Sequence, residues 1–152
     1  MNRRMVANMA LAGSVALLGG ALLFQYLGGL PPCKMCIWQR WPHGIAIVAG
    51  LAFLAWGARP FAWLAALSVL TGAGIALYHT GVERAWWQGP DTCTSGPITG
   101  MSGEELLAQI LTAPVVRCDE VAWEMLGLSM ASWNGVLSLA IAMLWLVAGR
   151  KT

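Results

Sequence analysis

An uncharged run from residue 5 to residue 30 limits what this chain can fold into more than any other feature. At ~1.5 Å per residue it exceeds the ~30 Å hydrocarbon core of a bilayer. Asn2-Arg3-Arg4 precedes it, a basic start that a cleaved signal peptide also has. The run is longer than the ~7–15 apolar residues of such a peptide, and no clear Ala-x-Ala site ends it, so it reads as a retained first helix. Gly13, Ala16 and Gly20 leave room for a neighbouring helix to approach, or simply fill the span. Composition agrees with a lipid solvent. The chain is 58% hydrophobic and 11% charged, against ~25% charged in soluble domains. A soluble chain of 152 residues could not bury so much apolar surface. The length suits one domain.

Three further apolar runs follow. Pro31-Pro32 is expected to end the first helix, since proline cannot continue the ladder. The second run ends at Gly57-Ala58-Arg59-Pro60. Counted from His43 it covers roughly 22 Å, and from Cys36 roughly 31 Å, which is enough to cross. Span two is therefore expected at about 36–57, with its thiols at the membrane surface and Arg40 in the interface beside Trp38 and Trp41. Pro42 predicts a kink or a restart in its first turns. The third run, about 61–79, closes at His79, and the fourth, about 132–148, ends in Gly149-Arg150-Lys151. With the first span at about 5–30, the fold expected is all-α: one polytopic domain, a four-transmembrane-helix bundle with outer loops at about 31–40 and 81–131.

Charge orients it. Arg3, Arg4, Arg59, Arg150 and Lys151 sit in very short segments on the side of the termini, while Lys34, Arg40, Arg84 and Arg117 spread over longer loops opposite. The positive-inside rule puts both termini in the cytoplasm. All four cysteines then face outward, where disulfides persist. The net charge of +2, with no basic cluster carrying interleaved aromatics, argues against nucleic acid as a partner.

All seven acidic residues lie between Glu83 and Glu124, which marks that segment as the one large aqueous piece. Within it Ser102-Gly103-Glu104-Glu105 matches a Ser-x-x-Glu capping box. Leu106, Leu107, Ile110 and Leu111 follow at helical spacing. This predicts a short amphipathic helix, lying flat on the membrane or packed on the loop. Residues 120–128 are expected to form another short helix leading into span four. Trp86, Trp87, Trp123 and Trp133 read as interfacial anchors.

The chemistry sits in Pro31-Pro32-Cys33-Lys34-Met35-Cys36-Ile37-Trp38-Gln39-Arg40. On a helix Cys33 and Cys36 share a face, and Arg40 lies one turn beyond Cys36. A guanidinium there favours the thiolate form of Cys36, which attacks disulfides or passes electrons on. A zinc site needs four well-placed ligands. Only Cys33 and Cys36 have that spacing, Cys93 and Cys118 are separated by twenty-four residues, and His43 and His79 belong to other elements, so no metal is expected. Two structural disulfides are a second reading. Closing the Cys93–Cys118 loop could contribute about 3 kcal/mol in the chain-entropy model, whereas a bridge across three residues restrains little. A third reading couples the pairs: electrons pass from a soluble partner to the loop pair, then to Cys33–Cys36, then to a lipophilic oxidant. A quinone accepts the two electrons and two protons of a thiol pair, and Arg40 would stabilise both the thiolate and the developing quinone anion.

The chain resembles the bacterial disulfide bond formation protein B (DsbB) family of quinone-dependent thiol oxidases over essentially its whole length. The resemblance is carried by the four spans, by Cys33 and Cys36 with Arg40, by Tyr78-His79 at the end of span three, by the distant loop pair, and by Trp123-x-x-Leu126-Gly127-Leu128. It implies that Cys93 forms the mixed disulfide with a periplasmic thioredoxin-like oxidase of the DsbA kind. Cys118, once freed, would attack Cys33. Cys36 would remain as a thiolate in charge-transfer contact with ubiquinone or menaquinone, held by Arg40, with His79 nearby. The family places such a chain in the bacterial inner membrane with its cysteines periplasmic. His43 has no counterpart in the family and reads as structural, and an interfacial polar role for His79 stays open. Two features depart from the family: Gln39 stands where an acidic residue is often found, and Pro42 is not expected. The alternatives are a paralogue with a dedicated substrate, a vitamin K epoxide reductase-like quinone reductase, and a four-span scaffold with two structural disulfides. The second usually carries its Cys-x-x-Cys late in the chain, not after span one.

Overall fold

The computed structural model describes residues 2–90, 102–112 and 116–150. Its elements in chain order are α1 (Arg3–Tyr26), α2 (Lys34–Trp56), α3 (Arg59–Glu83), α4 (Gly103–Thr112), β1 (Glu124–Met125), β2 (Leu128–Ser129) and α5 (Met130–Gly149). Among the described residues four helices are long. They close a ring in which α1 packs on α2 and α5, and α3 packs on the same two. Three of them, α1, α3 and α5, are long and apolar enough to cross a membrane.

The seam of the ring is built from small residues, so the helices approach closely. Ala7, Ala10, Ala46, Ala49, Ala62, Ala65 and Ala148 are buried around Trp145. A Cβ on Gly50 would fall 2.7 Å from the Trp145 ring, and one on Gly13 would fall 2.9 Å from Ile141. Gly13 is thus a contact glycine, whereas Gly20 meets no neighbour. The exterior is apolar instead: Val48, Leu67, Leu77 and Met143 are all more than half exposed. Such a surface fits lipid, not water. At one end Arg3 donates from Nε to the Ala148 carbonyl (3.0 Å) and lies over the Phe53 ring, which holds both ends of the chain on one side of the ring.

Four boundaries or turns differ from the sequence expectation. Helix α1 ends at Tyr26 and not at the prolines. Leu27 and Gly28 both donate to the Leu23 carbonyl, Gly29 takes φ +65°, and Pro31-Pro32 lie in the connection beyond. The glycines supply a stop before the prolines are reached. Helix α2 starts at Lys34 and runs unbroken through Pro42. The Pro42 carbonyl accepts from the Ser68 hydroxyl of α3 (2.8 Å), and its ring packs on Gly72, so α3 braces the point where the ladder loses a bond. Helix α3 continues one turn past His79 to Glu83. Gly81 does not break it; it makes room for the Trp87 indole, which folds back and donates to the Tyr78 carbonyl (2.9 Å). Finally, residues 120–128 form no helix. Glu124 pairs with Ser129 and Met125 with Leu128 across a two-residue turn. Leu126 (φ 55°) and Gly127 (φ 74°) are both left-handed, as a type I′ hairpin turn requires.

The capping box forms as expected. Glu105 Oε2 accepts from the Ser102 amide (2.9 Å), and the Glu105 amide donates to Ser102 Oγ (3.4 Å). Leu107 and Leu111 on α4 are exposed.

Candidate functional site

Cys33 caps the N-terminus of α2, with its sulfur accepting from the Cys36 amide at 3.1 Å. The Cys-x-x-Cys spacing therefore places the first thiol at the cap and the second three residues in, on the same face. Their sulfurs lie 2.6 Å apart. The hydrogen bond with Cys36, and then burial, push the Cys33 thiol above its usual range. Cys118 is fully buried against them, in a cluster with Met35 and Val82.

His79 reaches this cluster from α3. Its Nε2 is 3.6 Å from the Cys33 sulfur. Donor atoms of Cys33, His79 and Cys118 all lie within 4.8 Å of one another. Sequence spacing gave no hint of this grouping, because the three residues belong to three separate segments. Glu83, one turn beyond His79, has a side chain only 6% exposed; its carboxylate accepts from the Ser129 hydroxyl and lies 3.9 Å from His79 Nε2.

A cavity of about 430 Å³ opens beside the thiols, lined by Cys33, Cys36, Arg40, His79 and Glu83 and walled by apolar side chains such as Leu17 and Phe24. Arg40 points into it from α2. Its Nη1 donates to Gln25 on α1, and its Nε is buried with no partner among the described residues. Thus Arg40 shares the cavity with Cys36, while its hydrogen bond goes to the neighbouring helix.

The structure brings together Cys33, Cys36, Cys118, Arg40 and His79. Cys93 lies outside the described residues. Four further residues face the same cavity. By sequence Glu83 belongs with the aqueous loop, His43 reads as structural and Gln39 as a departure, and Asn134 has no assigned role. Asn134 donates to Gln39 Oε1 (2.6 Å) and accepts from His43 Nε2 (3.1 Å). The available signal was their position: polar side chains inside apolar spans, with Gln39–His43 and His79–Glu83 each four residues apart on one helix face.

The sequence model for the family described as "Disulfide bond formation protein DsbB" matches residues 3–148. The chain belongs to the DsbB family. Among its curated relatives, the disulfide bond formation protein B of Azoarcus sp. (strain BH72) is 32% identical, over 99% of this chain and 95% of the relative. The one from Aromatoleum aromaticum is 37% identical over 83% of this chain and 80% of the relative, and that of Stutzerimonas stutzeri 31% over 90% of both. No solved structure matches significantly. Family and apolar helices together make this DsbB chain a membrane disulfide bond formation protein, an oxidoreductase.

Proposed function

We propose that this chain reoxidises a periplasmic DsbA-like thiol oxidase and passes the electrons to a membrane quinone. The observation that carries this reading is the placement of the buried Cys118 sulfur beside Cys33, which lines the same cavity as Cys36 and Arg40. In this scheme α2 is the fourth span, the thiols lie at the periplasmic surface, and both termini are cytoplasmic in the bacterial inner membrane. Cys93 takes the mixed disulfide with the partner, and Cys118 is released as a thiolate. That thiolate attacks the Cys33 sulfur of the Cys33–Cys36 disulfide. One S–S bond forms, one breaks, and Cys36 carries away the negative charge.

Ubiquinone or menaquinone, when bound, supplies the acceptor for two electrons and two protons. The residues present fit such a group. The cavity is mostly apolar with a few polar atoms, as head-group sites are. The buried Arg40 Nε is a donor with no acceptor among the described residues, which a carbonyl oxygen would satisfy. Arg40 would hold and orient that oxygen, and its cation would favour negative charge both there and on Cys36. The partner-facing steps lie on the loop that carries Cys93 and α4, whose exposed Leu107 and Leu111 suit contact with the membrane surface.

The test is quinone kinetics with purified protein. Arg40→Ala should raise the quinone KM by roughly tenfold or more, as loss of a cationic clamp does. An unchanged KM would remove Arg40 from the site.

A further inference from the structure

We propose that Gln39 is a positioning residue whose side-chain amide fixes the His79 ring in the tautomer that presents an Nε2–H to the sulfur of Cys33. The assignment of the tautomer stands on geometry alone; what the N–H acts upon rests on the relay under Proposed function.

The orientation of a side-chain amide is decided by its neighbours. The Gln39 nitrogen lies 3.3 Å from the Met35 carbonyl, one turn earlier on α2, and 2.8 Å from His79 Nδ1. A backbone carbonyl only accepts, so the atom facing it is the nitrogen. The Gln39 oxygen correspondingly accepts from Asn134 Nδ2 at 2.6 Å. Both amide hydrogens are then committed, one to Met35 and one to His79 Nδ1. That ring nitrogen must offer a lone pair, so the proton of the neutral imidazole sits on Nε2. The polarity continues across to α5. Asn134 Oδ1 accepts from His43 Nε2 and from the Ser138 hydroxyl (3.3 Å). A buried chain therefore runs in one direction, His43 to Asn134 to Gln39 to His79, each group donating to the next.

At its end Nε2 stands 3.6 Å from the Cys33 sulfur. The grouping of Cys33, His79 and Cys118 would suit a thiophilic metal only if Nε2 offered a lone pair. It offers a hydrogen instead. That hydrogen has a use when the Cys118 thiolate attacks the Cys33–Cys36 disulfide. One negative charge spreads over three sulfurs and ends on Cys36. A fixed N–H beside the central sulfur stabilises this charge and transfers no proton; a lone pair there would oppose it.

The chain contains two histidines, so nitrogen-15 histidine labelling of the full-length protein in detergent reads both rings, and His79→Ala shows which signals belong to His79. The wild type should show His79 protonated at Nε2. Gln39→Glu sets a carboxylate against Nδ1 and should move the proton there. The same variant should slow formation of the Cys33–Cys118 bridge roughly tenfold or more, measured by acid-quenched trapping after reduction of the loop pair with dithiothreitol. Gln39→Met, of similar volume and with no donor, should lose the single tautomer. A wild-type ring protonated at Nδ1, or an unmoved proton in Gln39→Glu, overturns the assignment, and the wild-type spectrum decides it even if the variants fail to fold. A reversed tautomer with wild-type bridge formation refutes the role of the N–H. A wild type that shows the Nε2–H tautomer and never forms the bridge sinks the relay and leaves the role of Gln39 in setting the tautomer intact.

Discussion

Arg40 and Cys36 illustrate how one residue's environment decides its chemistry. Helical spacing set the guanidinium near the thiol, yet its Nη1 donates to Gln25 on α1, and its buried Nε has no partner among the described residues. The predicted quinone effect of Arg40→Ala is therefore an effect on a pocket, not on a salt-bridged thiol. A second residue-scale prediction concerns pH. Hydrogen bonds from the Ser102 amide and hydroxyl hold the Glu105 carboxyl below the usual carboxylate range. A carboxylate held low in the folded state stabilises above its unfolded value of about 4.3, and that contribution is lost as pH falls through the folded value. The start of α4 should fray as the medium is acidified below about pH 4. Amide exchange at Glu104 and Glu105 checks this; protection that is flat from pH 6 to pH 3 would contradict it.

At the scale of elements, the apolar runs were legible because a bilayer demands length and hydrophobicity, and both are local properties of sequence. Helix ends and rotations were less so. The stop of α1 lay in Gly28-Gly29, whose left-handed turn acts before Pro31 can. The extension of α3 to Glu83 depends on Trp87 folding back over Gly81, a tertiary contact. Residues 120–128 form a hairpin where a short helix is expected, and the signal for it is the Leu126-Gly127 pair itself. Of the site, the thiols and Arg40 were legible from spacing. The convergence of Gln39, His43, Glu83 and Asn134 was not, since it depends on how three helices are rotated about their axes. Two substitutions probe these contacts. Gly50→Ala places a methyl 2.7 Å from the Trp145 ring; it should destabilise the bundle by about 1–3 kcal/mol, read by unfolding in detergent. Equal stability would mean that α2 and α5 separate more easily than the packing indicates. Gly127→Val forces a β-branched residue to φ +74° and should weaken the hairpin that carries the Ser129 hydroxyl to Glu83. Proteolysis of the 120–128 segment should rise accordingly.

The whole molecule is a ring of helices with small residues inside and large apolar ones outside, closed at one end by Arg3 against Ala148 and open at the other beside the thiols. This arrangement puts an apolar-walled cavity and a buried cysteine cluster at one end. Under the proposed function, electrons would move through this end from a soluble dithiol to a lipid-soluble acceptor. Because Cys93 alone meets the partner in this scheme, Cys93→Ala should abolish partner oxidation while Cys33–Cys36 stays oxidised; normal partner oxidation by that variant would refute the order of the relay. The central claim is that the disulfides follow the state of the quinone pool, and thiol trapping in native membranes tests it most directly. A mass-adding alkylator counts free cysteines with the pool oxidised, and again with the pool reduced and reduced partner present. The relay predicts that all four cysteines are bridged in the first condition and that thiols appear in the second. Bridges that ignore the state of the pool would make the disulfides structural and contradict the account.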